Sequence, residues 1–229
     1  MSDAALTLKD VRFRWPGRAS FGLSVPAFQL EAGESVLLLG ESGSGKSTLL
    51  SLICGIVTAD SGQVVVENTD LSTLRPGARD RFRAERIGVI FQQFNLLPYA
   101  SVSDNILLPL RFAPERRRRA GEGEAGTLCS ALSLPDGILG TTAGRLSVGQ
   151  QQRVAVARAL IGMPPLIVAD EPTSALDAAT QDSFLGLLFD QLAATGSSLL
   201  MVSHDERLGA RFDRIVRLAD IAQIERQAA

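Results

Sequence analysis

The chain has 229 residues, 45% of them hydrophobic and 21% charged, with a formal net charge of −2. That length buries a sizeable core, as one domain or as a core with one subdomain. The near-neutral balance argues against a general nucleic-acid binder, and no apolar run reaches the roughly 18 to 20 residues that cross a bilayer. Met1 to Ala5 lack a basic stretch followed by an apolar one, so no secretory signal is expected. Cys54 and Cys129 stand apart without metal-binding spacing, which fits a reducing compartment.

Leu6 to Arg14 alternates apolar and polar residues and predicts a half-buried strand. It ends at the turn Trp15-Pro16-Gly17, which holds the only tryptophan. A second strand is expected near Ala27 to Leu30, and Glu31 to Glu34 turns into the short apolar run Ser35-Val36-Leu37-Leu38-Leu39. Such a run is typical of a strand buried inside a parallel sheet. It leads straight into Gly40-Glu41-Ser42-Gly43-Ser44-Gly45-Lys46-Ser47-Thr48, which fits G-x-x-x-x-G-K-[ST]. Leu49 to Cys54 then reads as a helix that Gly55 stops. Strand, loop and helix are the context in which this spacing binds nucleotide phosphates. The glycines let successive N–H groups converge on phosphate oxygens, and the helix adds the positive end of its dipole. Lys46 reaches the β- and γ-phosphates in such loops, and the Ser47 hydroxyl ligates Mg²⁺.

Further on, Gly62 to Glu67 reads as a strand, Arg75 to Arg86 as a charged helix and Ile87 to Phe91 as a strand. From Ser101 to about Ile161 the pattern is helical. Ser101 and Asp104 have the spacing of a capping box, and Pro114 is suited to opening a helix. The run Arg116 to Arg119, beside Glu115, Glu122 and Glu124, is expected to be a solvated helix face. Pro135-Asp136-Gly137 marks a turn. Pro165 to Ala169 is a buried strand that delivers Asp170 and Glu171 to its carboxyl end, where open α/β sheets place their ligands. Asp170 would hold Mg²⁺ through water, and Glu171 would polarise an attacking water. Ala178 to Ala194 is helical, and Ser198 to Ser203 is a buried strand followed by His204, the only histidine. Arg214 to Leu218 and Ile221 to Ile224 are expected to pair as a terminal hairpin.

Leu146-Ser147-Val148-Gly149-Gln150 stands before a helix, and Asp170-Glu171-Pro172-Thr173-Ser174-Ala175-Leu176-Asp177 follows it. With the phosphate loop upstream, this order of motifs resembles the ATP-binding cassette (ABC) ATPases over essentially the whole chain. The resemblance implies an α/β P-loop NTPase with a RecA-like core and N-terminal antiparallel strands, residues 1–91 and 161–229. A helical subdomain, residues 92–160, would carry the signature motif. It also implies ATP and Mg²⁺ as cofactors.

Residue roles follow from the same resemblance. Trp15 would stack on adenine, although a strand-end aromatic packed on the core is the other reading. Gln92 (or its neighbour Gln93) would contact Mg²⁺ and the attacking water, and His204 would sit near the γ-phosphate. Ser147, Gly149 and Gln150 would face the γ-phosphate held by a second copy, with Asp177 at the seam of a head-to-tail homodimer. Val148 stands where glycine is most common and would add bulk beside that phosphate. The stretch Phe91 to Pro98 with Ser101 to Leu110 is similar to the lipoprotein-releasing and macrolide-export group. In that group a separate membrane permease is the partner, at the cytoplasmic face, and Phe94, Leu96 and Leu97 would form an exposed apolar surface for it. The alternative is a soluble ABC ATPase acting on nucleic acid or ribosomes, but such chains usually carry two cassettes or a long coiled coil. A P-loop kinase or GTPase would leave the signature stretch and Asp177 without a role.

Overall fold

The computed structural model describes residues 4–15, 21–41, 43–174 and 176–225. The chain runs through β1 (Ala4–Arg14), β2 (Gly22–Glu31), β3 (Ser35–Leu39), α1 (Lys46–Ile53), β4 (Ser61–Val66) and β5 (Thr69–Asp70). Next come α2 (Pro76–Arg86), β6 (Ile87–Ile90), α3 (Val102–Leu107), α4 (Pro114–Arg119), α5 (Glu124–Ala131) and α6 (Val148–Leu160). Then follow β7 (Leu166–Asp170), α7 (Ala178–Thr195), β8 (Ser198–Ser203), β9 (Arg214–Arg217), α8 (Leu218–Ile221) and β10 (Gln223–Glu225). Ser42, Ala175 and the Pro16-Gly17 part of the expected turn lie outside the described residues. The chain divides into two units, Met1–Arg83 with Ser198–Ala229, and Ala84–Ser197.

In the first unit an antiparallel sheet has the order β10-β2-β1-β4-β5. Leu6 and Leu8, then Val11 and Phe13, pair with Leu30, Phe28, Val25 and Leu23 of β2, the alternation slipping by one residue at Lys9-Asp10, where Asp10 has a left-handed backbone, φ 49°. All eight are buried, so on each side of that slip the period of two in β1 reflects a covered face. β3 lies between β8 and β9 and is parallel to both. Every residue of β3 and β8 is buried, which is why both read as unbroken apolar runs.

The expected terminal hairpin does not form. Arg214–Arg217 instead pairs in parallel with β3, and Gln223–Glu225 pairs antiparallel with β2. The chain is committed to β3 just before β9 begins. Ser35 donates from its N–H and its hydroxyl to the Asp213 carboxylate at 2.8 and 2.7 Å. These bonds, the hydroxyl's first, hold the Asp213 pKa below the usual carboxylate range. The helical turn α8 then redirects the chain toward β2.

In the second unit β6 and β7 run parallel, with Ile90 opposite Ala169. A Cβ at Gly88 would fall 2.2 Å from the Ala159 carbonyl oxygen, so α6 lays its backbone directly on β6 and only glycine fits. The capping box at α3 is formed: Ser101 Oγ accepts from Asp104 N at 3.0 Å, and Asp104 accepts from Ser101 N. Pro114 opens α4.

The Arg116–Arg119 run departs from the expected solvated face. Arg117 and Arg118 are exposed, but Arg116 is 1% exposed. Its guanidinium donates to the carbonyls of Ile161 (2.7 Å), Ala159 (2.6 Å) and Ala84 (3.0 Å), with a longer bond to Ile87. The end of α6 leaves carbonyls without intrahelical partners, and the fork of an arginine meets several at once. Glu85, also buried, accepts from the N–H groups of Glu115 and Arg116 at the start of α4. Burial lowers the Arg116 pKa to about 10, with Arg119 adding to the shift and Glu85 opposing it. Arg116 therefore remains a cation at neutral pH. Replacing Arg116 with methionine strands these carbonyls and should cost about 2–4 kcal/mol, read as a lower urea midpoint. An unchanged midpoint would mean that other donors satisfy the carbonyls.

Candidate functional site

The phosphate loop begins where β3 ends. Gly40 N donates to the Ser203 carbonyl, tying the loop to the end of β8. Gly43 and Gly45 take left-handed backbones, φ 75° and 91°, which a side chain would disfavour. Lys46 is 6% exposed, and its ammonium donates to the carbonyls of Gly40 and Glu41, both at 2.8 Å. The first turn of α1 holds no acidic residue and no side-chain cap, so no carboxylate there counters the positive end of its dipole. The Ser44 hydroxyl is buried without a hydrogen-bond partner among the described residues. A buried polar atom left this way implies a group that arrives later. The loop therefore fits an oxyanion ligand, and Mg-ATP meets that requirement with its phosphates.

Two expected residues join the loop within the first unit. Trp15 donates its indole N–H to Thr48 Oγ1 at 3.2 Å, which seats the ring beside the first turn of α1. The ring packs edge-on against Phe13 with centroids 5.1 Å apart, yet Trp15 stays 36% exposed. It is thus supported on one side and open for stacking. His204 follows β8 and is exposed. It lines a cavity of about 480 Å³ with Gly40, Glu41, Ser44 and Glu206. Glu41 and Ser47 are exposed in the loop. Asp205, next to His204, is held below the usual carboxylate range chiefly by its bonds to Arg207.

The second unit brings Gln92, Asp170 and Glu171 to the carboxyl ends of adjacent parallel strands, because β6 and β7 finish in register. Gln92 and Gln93 are both exposed, and Asp170 and Glu171 are half-buried. Glu171 has a left-handed backbone, φ 44°, a cost of about 1–3 kcal/mol that proteins tend to retain at functional positions. The signature helix reaches the same strand end: Gln152, 1% exposed, donates to the Pro172 carbonyl at 2.7 Å.

Ser147 caps α6 in a reciprocal box with Gln150, accepting from Gln150 N at 3.3 Å while Gln150 Oε1 accepts from Ser147 N at 3.0 Å. Val148 is 53% exposed, and a Cβ on Gly149 would meet nothing within 4 Å. This helix start is therefore open among the described residues. Asp177 caps α7 through Thr180 N and Oγ1, at 3.0 and 2.7 Å, and those bonds keep its pKa below the ordinary range.

The expected apolar surface after Gln92 is only partly there. Phe94 is buried, and Leu96 and Leu97 are half-buried. Two residues that were given no role in the sequence reading organise this stretch. Arg158 of α6 donates to the carbonyls of Phe94 and Asn95 at 2.5 and 2.6 Å. Asn105 of α3, fully buried, accepts from Leu97 N at 2.7 Å and donates to Leu97 O at 3.1 Å. Phe94 and Asn95 are both left-handed, φ 57° and 48°. Charge-assisted bonds worth about 1.5–3 kcal/mol each can offset that strain. No motif spacing marks Arg158 or Asn105. A buried arginine in the last turn of a helix shows its purpose only once the neighbouring carbonyls are placed.

Residues 23–174 match the family model for the ABC transporter. The chain is similar to the macrolide export ATP-binding/permease protein MacB of Rhodopirellula baltica, 40% identical over 87% of this chain but only 30% of that protein. It thus spans under a third of that longer relative. It is also similar to the uncharacterized ABC transporter ATP-binding protein YbbA of Escherichia coli K12, 40% identical over 87% of this chain and 86% of that one. The lipoprotein-releasing system ATP-binding protein LolD of Syntrophotalea carbinolica is 38% identical over 86% of each chain. Among solved structures, a dimeric post-hydrolysis ATP-binding cassette bound to ADP and Pi superposes with a TM-score of 0.77. It is 32% identical, covering 98% of this chain and 99% of that one.

The orphaned Ser44 hydroxyl yields a two-sided expectation. Ser44→Ala should stabilise the nucleotide-free protein by about 1 kcal/mol and weaken Mg-ATP binding by about threefold to tenfold. Thermal melts with and without Mg-ATP measure both, and a loss of stability without ligand would contradict the orphan reading. The chain belongs to the ABC transporter family as an ATP-hydrolysing cassette with the P-loop NTPase fold, in the group that includes the macrolide-export and lipoprotein-releasing proteins.

Proposed function

We propose that the chain is the motor subunit of a membrane transporter, closing head to tail with a second copy around two Mg-ATP. The observation that carries this reading is the contrast between two anion-ready helix starts. The start of α1 is enclosed by its own loop and holds a buried hydroxyl without a described partner. The start of α6 stands uncovered, with Val148 and Gly149 open, as a surface that meets a phosphate held by another copy would.

ATP would supply the phosphoanhydride bond that is broken, and Mg²⁺ would offset the negative charge of its phosphates. Gly40, Glu41, Ser42, Gly43, Ser44, Gly45 and Thr48 wrap the phosphates, and Lys46 neutralises charge on the β- and γ-groups. By the same resemblance, Ser47, Asp170 and Gln92 would hold the metal. The Glu171 carboxylate accepts a proton from the attacking water, and His204 steadies the γ-phosphate. Trp15 stacks on adenine, while Ser147, Gly149, Gln150 and Asp177 act across the seam. Residues 1–91 with 161–229 would form the nucleotide core, and 92–160 the helical arm.

The partner would be an integral-membrane permease on a separate chain, engaged from the cytoplasmic face, with transport outward or extraction of a lipid-anchored cargo. No helix among the described residues is long and apolar enough to cross a membrane, so in this reading the chain is peripheral. The soluble alternative acting on nucleic acid finds no support in a net charge of −2.

The test uses two variants of the full chain. Lys46→Ala should abolish hydrolysis and weaken ATP binding. Glu171→Gln keeps the shape of the side chain but cannot take the proton, so it should bind ATP, stop turning over and form dimers with ATP but not with ADP. Light scattering that shows a monomer under both nucleotides would contradict the sandwich.

A further inference from the structure

We propose that Arg158 is a positioning residue for ATP hydrolysis, fastening the segment after Gln92 to the signature helix so that the two move as one body. The inference rests on the proposed roles of Gln92 and of the α6 N-terminus. It concerns how those two places are joined.

The joint is built from four observations. Arg158 is 7% exposed, and its two terminal nitrogens take the consecutive carbonyls of Phe94 and Asn95. Those two residues hold left-handed backbones, a conformation that needs an external restraint. Asn105 grips both the N–H and the carbonyl of Leu97, so the other end of the segment is held by α3, which packs against α6. The same turn of α6 is itself fixed, because Arg116 donates to the Arg158 and Ala159 carbonyls. Residues 94 to 97 are therefore coupled to the helix whose far end is Ser147, Val148 and Gly149. A shift at that end cannot be absorbed by a soft loop before it reaches Gln92.

The geometry also says which substitution separates this role from simple packing. The two carbonyls belong to adjacent residues, and the planar fork of arginine spans them. Lysine keeps the charge, but its compact ammonium lacks the fixed two-pronged geometry of the guanidinium, so it holds the pair less rigidly.

The experiment is hydrogen–deuterium exchange on the full chain carrying Glu171→Gln, with and without ATP, followed at residues 93–99 and 147–158. In that parent, ATP should slow exchange in both segments. Adding Arg158→Lys should leave the protection of 147–158 in place while exchange in 93–99 becomes about tenfold faster and insensitive to ATP. With Glu171 intact, Arg158→Lys should lower kcat by about tenfold with KM for ATP unchanged. Arg158→Gln serves the same comparison if the lysine variant loses its cooperative melt. Protection of both segments as in the parent, with kcat unchanged, would reduce Arg158 to a packing residue and overturn the inference alone. A parent without ATP protection at 147–158 would overturn the sandwich reading, and this inference with it.

Discussion

A phosphate site made from main-chain amides works only if the carbonyls of the same loop face elsewhere. Here the Lys46 ammonium engages the Gly40 and Glu41 oxygens, while Gly43 and Gly45 supply the left-handed turns. The other features of the first unit keep this loop in place. β3 is buried along its whole length, so its end is a fixed point. The Ser203 carbonyl anchors Gly40 N, and Ser35 with Asp213 holds the other end of β3 to β9. The Trp15 indole is tied to Thr48 of the same helix start.

The second unit solves a related problem with a different residue. Its helix ends and its post-strand segment expose carbonyls in the interior, and arginines cover them. Arg116 covers the end of α6, Arg158 covers Phe94 and Asn95, and Arg119 covers Gly162 and Glu85. Only two lysines occur in the chain, Lys9 and Lys46. A guanidinium can serve several carbonyls at once and stays ionised when buried, whereas an ammonium is more readily neutralised. The result is a rigid unit in which the signature helix, the strand end at Pro172 and the segment after Gln92 are linked by hydrogen bonds.

The sequence was most legible where function depends on local geometry. The phosphate loop, the capping box at Ser101 and the strand ending in Asp170-Glu171 each need particular residues at fixed spacing, and each formed as expected. Whole-chain order of motifs was legible for the same reason. What stayed hidden was tertiary. Arg116 looks like its neighbours Arg117 and Arg118 until the end of α6 arrives beside it. Phe94 reads as a surface residue until its left-handed backbone turns it inward. The β9 segment looks ready to form a hairpin, and the bonds between Ser35 and Asp213, across 178 residues, with the parallel pairing that follows, assign it to β3.

The central claim is that each ATP is cleaved only when the loop of one copy meets the signature helix of another. Steady-state hydrolysis by the purified full chain, measured against protein concentration at saturating Mg-ATP, tests it directly. Below the dimer dissociation constant the rate should rise with the square of the protein concentration, becoming linear above it. A rate strictly proportional to protein at every dilution, with light scattering showing a monomer throughout, would show that one copy holds a complete site and contradict the account.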